Sequence, residues 1–391
     1  GGDISLKTRG PGSGTGLTID LSFADGGSLK GTLTAPIEAS LASAPPFAAD
    51  GSLGGSLTLD RSDLSALNAL MTDPEAKVKP SDPRLAGTLN ATLDLGGHPS
   101  KPDIKLTSKI TSLSYAGDKM NAALNISLAE EILEMNGQLT NPAMEDATFL
   151  TLTLTAPMRI GEDLSPQAKW EDAIDAQILL KAPDARVLSP LDPEMAKLKG
   201  IIDMDLRAKG KLGDPALQLS ARGRRLRYGD VPETQLDLEI AFAKGQAATI
   251  GRMKVGNQPI SAIDGRLKMN LGEALQGGDI ALRDLRFSLD VPSFDLTSLP
   301  RQWRGNRLEG GVLRASALLV SPGSKPEFEL EVAASDITVS GIKNQDITLQ
   351  GGYQGERLIL KARALDDERP SLVLDGDLPM AITLPIGGAE A

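Results

Sequence analysis

Apolar and polar residues alternate with a period of two along most of this chain. The runs DIKLTSKI (103–110), ALQLSARG (216–223) and EFELEVAA (327–334) show it plainly. Alternation of this kind places one face of a β-strand against apolar material and the other in water. Hairpins follow at LNISLAEEILEMNGQL (124–139), LDLEIAFAKGQAATIGRM (236–253) and ITLQGGYQGERLILKA (347–362), with turns predicted near Glu130, Gly245 and Gly355. Helical spacing is confined to short pieces. SDLSALNALMTDP (62–74) offers Ser62 or Asp63 as an N-cap, Leu64, Leu67 and Met71 on one face, and Pro74 as a stop. DPEMAKLKG before Gly200 and FDLTSLPRQW near Leu296 are weaker versions of it, and SPQAKWEDAID (165–175) offers Ser165 as a cap with Pro166 in the first helical position.

The strands recur as a set. Segments beginning at Gly87, Gly200 and Gly311 align, each glycine being followed at the same distance by a proline: Pro102, Pro215 and Pro326. Apolar residues then fall two and four positions after the proline (Ile104 and Leu106, Leu217 and Leu219, Phe328 and Leu330). They return eleven and thirteen positions after it (Leu113 and Tyr115, Leu226 and Tyr228, Ile337 and Val339). LTAP occurs verbatim at 33–36 and 154–157, and GRLKMNL (265–271) and GDLPMAI (376–382) occupy the equivalent place. The chain therefore reads as tandem units of about 111 residues. The expected division is a partial unit over 1–86 ending in a short helix, full units over 87–199 and 200–310, and a partial unit over 311–391.

Within each unit the apolar positions begin on even offsets from the proline and end on odd ones. Both groups share a face only if one residue is skipped, which a β-bulge does. The skip falls at Thr111–Ser112, Arg224–Arg225 and Ser335–Asp336. Long strands bent at a fixed place imply a strongly curved sheet. The apolar face then needs a cover: a second sheet in a sandwich, closure in a barrel, or a ligand on an open curved sheet. The expected architecture is all-β, an elongated and continuous β-sheet groove with short helices at the unit junctions. Its lining would be the twelve apolar residues that follow the three prolines.

Composition narrows the choice of occupant. Aromatic residues are 3% of the chain against 40% hydrophobic residues overall, so the lining is aliphatic and suits acyl chains better than rings. The net charge of −11 opposes nucleic acid. The arginine-rich stretch GDPALQLSARGRRLRYGD (213–230) does not change this, because its counterparts hold Lys105, Thr107 and Lys109, or Glu329 and Glu331: polarity recurs there, not positive charge. There is no cysteine, hence no disulfide and no thiolate chemistry. The lone His98 sits in a turn before Pro99, Glu130–Glu131 and the DDE run at 366–368 lie at hairpin tips, and GPGSGTG (10–16) precedes a strand rather than a helix. Trp170 and Trp303 are placed to pack at unit junctions. These features predict neither an enzyme nor a metal or cofactor. The opening GGDISLKTRG, without a Met or a signal segment, reads as that of an excised fragment.

LDLGGHPSKPDIKLTSKITSLSYAG (93–117), LRAKGKLGDPALQLSARGRRLRYG (206–229) and DLTSLPRQWRGNRLEGGVLRASALL (295–319) resemble the TamB and AsmA-like proteins of Gram-negative bacteria. The resemblance covers nearly the whole chain, as degenerate internal repeats. It implies a repeating β-groove folded like a taco shell and lined by aliphatic side chains. It also implies a periplasmic location, with the parent protein anchored in the inner membrane and an outer-membrane β-barrel as partner. The implied activity is movement of phospholipid between the membranes, with assembly of outer-membrane proteins as an older proposed role. The family's N-terminal membrane helix and C-terminal partner-binding domain have no counterpart in the sequence, as expected of a middle segment. Two other readings fit the same pattern: a scaffold pairing its strand edges with unfolded outer-membrane strands, and an array of closed all-β cores.

Overall fold

A computed structural model describes residues 2–8, 15–23, 26–36, 51–64, 86–114, 119–161, 165–229, 232–256, 258–269, 282–298, 308–321, 326–366 and 369–382. The chain divides into two compact units, Gly1–Ala196 with Ala208–Leu212, and Lys197–Arg207 with Gly213–Ala391.

The first unit contains β1 (Gly2–Thr8), β2 (Thr15–Ser22), β3 (Ser28–Ala35), β4 (Gly54–Asp63), β5 (Ala86–His98), β6 (Lys101–Ser114), β7 (Met120–Ala129), β8 (Ile132–Asn141), β9 (Ala147–Pro157), the two-residue strands β10 (Arg159–Ile160) and β11 (Pro166–Gln167), and β12 (Ala173–Ala182). Apart from the small β10–β11 pair, each strand is antiparallel to the next, and β12 pairs with β9. The strand β13 (Leu198–Lys211) has residues in both units. The second unit continues with β14 (Asp214–Tyr228), β15 (Thr234–Ala243), β16 (Gln246–Val255), β17 (Gln258–Met269), β18 (Leu282–Asp295), β19 (Leu308–Ser321), β20 (Glu327–Val339), β21 (Ile342–Gln354), β22 (Arg357–Asp366) and β23 (Arg369–Pro379). From β14 to β23 every consecutive pair is antiparallel. Neither meander closes into a barrel.

The predicted turns fall where expected: Glu130–Glu131 joins β7 to β8, Lys244–Gly245 joins β15 to β16, and Gly355–Glu356 joins β21 to β22. Pro102 and Pro215 are the second residues of β6 and β14, and Pro326 directly precedes β20. A residue without an N–H is tolerated at a strand start.

The three skipped positions are bulges. The register breaks between Ile110 and Leu113, between Gly223 and Leu226, and between Ala334 and Ile337. In each break one residue is left-handed: Ser112 (φ 54°), Arg225 (φ 52°) and Asp336 (φ 53°). That conformation costs a residue with a Cβ about 1–2 kcal/mol. In two cases a side chain of the next strand meets the freed amide. Ser112 N donates to Asn121 Oδ1 and Asp336 N to Asp346 Oδ1, both at 3.0 Å. Arg61, left-handed in β4, is met in the same way by Asn90 Oδ1 at 3.0 Å.

The repeated glycine answers the bulge from the preceding strand. Gly200 adopts φ 118°, and a methyl group there would come 2.5 Å from the carbonyl oxygen of Arg225. Gly87 and Gly311 face Thr111 O and Ser335 O in the same manner, at 3.1 Å. The motif of glycine and skipped beat is thus one object, a close backbone approach across a bent strand pair.

Where the described residues cover the expected helices, they are not present. Among the described residues no α-helix occurs, and the junctions hold 3-10 turns at Ala185–Leu188, Pro193–Lys197 and Leu296–Ser298. Segments this short do not repay helix nucleation. Ser62 and Asp63 belong to β4, and residues 65–74 of that proposed helix lie outside the described residues, as do Trp303 and residues 9–14 of the glycine-rich segment. Ser165–Asp175 forms β11, a turn and the start of β12 instead of a helix. Asp172 explains this: its Oδ2 accepts from the Lys169 amide at 2.7 Å and its own amide donates to Lys169 O at 2.9 Å, a local turn that competes with helical pairing. Trp170, in that turn, is exposed rather than packed.

Gly200→Ala is expected to destabilise the second unit by about 1–3 kcal/mol, through strain at the bulge. Gly229→Ala, where φ is 57° but nothing lies within 4 Å, is the matched control and is expected to cost less. Urea denaturation midpoints of the two variants check this.

Candidate functional site

Because the period is two and the bulges restore phase, one face of each meander is predominantly apolar. In the first unit a row runs Ile19, Gly31, Leu57, Leu93 and Leu106, then on through Ile126, Met135, Leu154 and Ala176. In the second, one row runs Leu219, Ile240, Thr249, Gly265, Phe287 and Leu319 to Phe328 and Tyr353. The row beside it passes through Ala221, Leu238, Gly251 and Ile263, and further on through Leu330 and Leu360. Most of these side chains are half-buried. A closed sandwich would take them fully out of water.

Fully buried side chains instead collect at the two margins of the apolar face. At the margin holding the hairpin turns, Leu128, Phe242 and Tyr353 are buried opposite Ile104, Leu217 and Phe328. Phe328 and Tyr353 stack with ring centroids 5.9 Å apart. A strap crosses this margin after β9 and again after β23. Met158 N donates to Glu131 O at 2.8 Å, and Met380 N to Glu356 O at 2.9 Å, each methionine following a proline that ends its strand. Ile382 N donates to the Tyr353 hydroxyl oxygen at 2.8 Å. The first strap is clasped by ions: Arg159 lies 3.3 Å from Glu131 and 3.2 Å from Asp172. The Lys169 amide, with the Arg159 guanidinium beside it, holds the Asp172 carboxyl below the usual range.

The other margin is the one with the bulges. In the first unit the 3-10 turn Ala185–Leu188 packs on β9 and β12. It buries Val187, and Asn141 Nδ2 donates to Val187 O at 3.0 Å. Phe149, at 1% exposure, is buried near the start of β9. In the second unit Val255, Phe294 and Leu296 form a cluster with Val291, Leu308 and Leu313 around them. The apolar face is therefore fenced along both margins and half-exposed between them.

The apolar positions that follow the three prolines fall on this face where they are described in mid-strand. Ile104, Leu106, Leu113, Leu217, Leu219, Leu226, Phe328 and Leu330 are half-buried, and Ile337 is buried. Tyr228 and Val339, at strand ends, are exposed, and Tyr115 lies outside the described residues. The pattern did not single out Leu128, Phe242 and Tyr353, although each stands two residues before a hairpin turn, a signal visible in the sequence. The straps and the 3-10 covers have no periodicity to announce them.

The opposite face is ionic. Arg222 lies 3.8 Å from Asp237 and 3.9 Å from Glu239, Arg224 2.6 Å from Asp203, and Arg227 2.9 Å from Glu233. The arginine-rich stretch is thus neutralised by neighbouring acids on the polar face. Depressions of about 440 and 740 Å³ also open on that face, among Gln218, Ser220 and Glu239 and among Ser288, Glu329 and Lys361. Leu219 and Ile240 border the first and Leu330 the second, and neither holds a catalytic arrangement. His98 Nδ1 is 2.8 Å from Ser100 Oγ, within its turn. Among the described residues no cluster of three or more His, Asp or Glu is placed to hold a metal, and no helix is long and apolar enough to cross a membrane.

The chain matches no protein-family model, and neither the curated proteins nor the solved structures give a match to it.

Leu330→Asp is expected to leave the fold intact, because its neighbours across the row are only half-buried. Phe149→Ala is expected to cost about 3–5 kcal/mol. Circular dichroism and urea denaturation separate the two outcomes. The clasp has a pH sign as well. A depressed carboxyl stabilises the folded strap above its unfolded pKa, and that contribution fades as pH falls through the lower folded value. Emission of Trp170 in a Trp303→Phe background is expected to report loosening below the usual carboxylate range, and Asp172→Asn is expected to abolish that transition.

Proposed function

We propose that this chain is a periplasmic lipid-carrying segment that holds phospholipid acyl chains against the fenced aliphatic face, as part of a parent protein anchored in the inner membrane and reaching an outer-membrane β-barrel partner. The observation that carries the reading is the succession, within each unit, of half-exposed and mainly aliphatic rows between two covered margins. Such a surface is too apolar to be left to water over many strands. Acyl burial supplies about 0.8 kcal/mol per CH2. Because successive strands present similar side chains, each step of a moving chain exchanges one aliphatic contact for another of comparable strength. That supports sliding rather than lodging at one position.

The ~111-residue repeat supports the same reading. The glycine and bulge pair returns with each repeat, which one deep pocket for a single ligand would not require. The proposed groove is passive and equilibrates lipid between its ends.

Extraction of the purified full chain followed by mass spectrometry is expected to yield phospholipid. A photocrosslinking residue at Leu219 or Phe328 is expected to attach to lipid, and Leu219→Asp with Leu330→Asp is expected to reduce the lipid recovered while the fold persists. Recovery of no more lipid than a soluble control protein carries, with crosslinks to protein strands alone, would overturn the proposal in favour of a strand-pairing scaffold.

A further inference from the structure

The ladder of β17 with β18 sets cation against cation. Arg266 stands opposite Arg286 and, past a register slip, Lys268 stands opposite Arg283. Like charges directly opposite on adjacent strands are destabilising. Among the described residues from β14 to β23, two cations oppose each other in register at these two places only.

Lys268 has local relief. Its Nζ donates to Asp284 Oδ2 at 2.6 Å, and Asp284 is the left-handed residue of the slip, at φ 50°. Arg266 and Arg286 have none. Both are exposed, and among the described residues neither has an ion-pair partner. The adjoining strands place Ala248 beside Arg266 and Val320 beside Arg286. Asp264, two positions before Arg266, stands opposite Ser288. The arrangement is particular to this hairpin. In the first unit the equivalent ladder positions hold Thr155 and Asp175, and Lys209 lies 2.9 Å from Asp175. Elsewhere on the polar face Arg222, Arg224 and Arg227 each have an acid beside them.

We propose that Arg266 and Arg286, with Lys268 beside them, form a binding site for a phosphate group. An anion shared between the two guanidinium groups turns their repulsion into attraction. Each guanidinium presents a planar fork of donors that fits phosphate oxygens. A tetrahedral phosphate has oxygens for both forks and for Lys268, whereas a carboxylate is used up by one fork. As a monoester it carries a charge of about −1.5 to −2 near pH 7, enough to serve both arginines. The depression of about 740 Å³ runs from Arg286 past Ser288 and Ser316, which leaves room and hydroxyl groups for the organic part of a phosphate ester. The site lies on the polar face and does not depend on what the apolar face carries. A lipid headgroup and a free phosphate ester are the two sources of the group.

The test uses the full chain, read by its thermal midpoint and by isothermal titration calorimetry. Inorganic phosphate is expected to bind saturably. It is expected to raise the midpoint more than sodium chloride of equal ionic strength, because screening alone also eases like-charge repulsion. Arg286→Thr is expected to leave the unliganded midpoint unchanged or higher, while phosphate affinity falls about tenfold or more. Arg266→Gln is expected to lose affinity to the same extent. Arg222→Gln, on the same face but outside the pair, is expected to bind like the parent chain. Glycerol 3-phosphate and dihexanoyl phosphatidic acid, the latter below its micelle concentration, separate the sources. Tighter binding of the lipid, with the gain lost in Leu219→Asp with Leu330→Asp, identifies a headgroup, and equal affinity identifies a free ester. The site is refuted by phosphate stabilisation no greater than that of chloride. It is refuted equally by a phosphate effect that survives in Arg286→Thr or is lost as fully in Arg222→Gln.

Discussion

A sheet with one mainly aliphatic face, whose central rows carry no second layer among the described residues, must draw its cohesion from neighbours within the sheet. Contacts between side chains on adjacent strands, each worth a fraction of a kcal/mol, replace the deep core of a sandwich. The rows through Leu106 and through Leu219 show the consequence, since side chain after side chain is half-covered by the strands on either side. The polar face works on the same terms, with Arg222 held between Asp237 and Glu239. Such exposed pairs contribute little individually, but they set register and discourage slippage. Only at the margins, under the straps and 3-10 turns, does full burial return.

The bulge lets this arrangement persist along strands as long as β6, β14 and β20. Without it, the residues after the bend would point their apolar side chains into water. With it, Leu113, Leu226 and Ile337 rejoin the face begun by Ile104, Leu217 and Phe328. The cost of the left-handed residue is offset by a side-chain acceptor at Asn121 or Asp346, and the preceding strand leaves room for the bent backbone by placing glycine opposite. Charge is free to vary at the bulge, as Ser112, Arg225 and Asp336 show, because the backbone and not the side chain is specified.

The strands, their turns and the skipped residues were legible in the sequence because period-two alternation is a direct image of a half-buried strand, and a break in phase is a direct image of a bulge. The junction helices were misread where the described residues cover them. Ser165–Asp175 has helix-cap chemistry, but Asp172 and Lys169 close a turn there. The fences were illegible for a different reason. Met158 and Met380 act through backbone amides that reach turns distant in sequence, and Val187 is buried by a segment too short to have a period. The apolar positions after the prolines are half-buried on the apolar face where they lie mid-strand, whereas Tyr228 and Val339, at strand ends, are exposed.

The rows and the repeat do not keep step. Leu217 and Phe328 are equivalent residues, as are Leu219 and Leu330, yet the row that begins at Leu219 arrives at Phe328. Across one repeat of the second unit the hydrogen-bonded rows therefore drift by one row toward the margin of the hairpin turns. The repeat and the hydrogen-bonded rows are thus two different rulings of the same surface, and residues that match in sequence from one repeat to the next lie in neighbouring rows, not end to end along a single row.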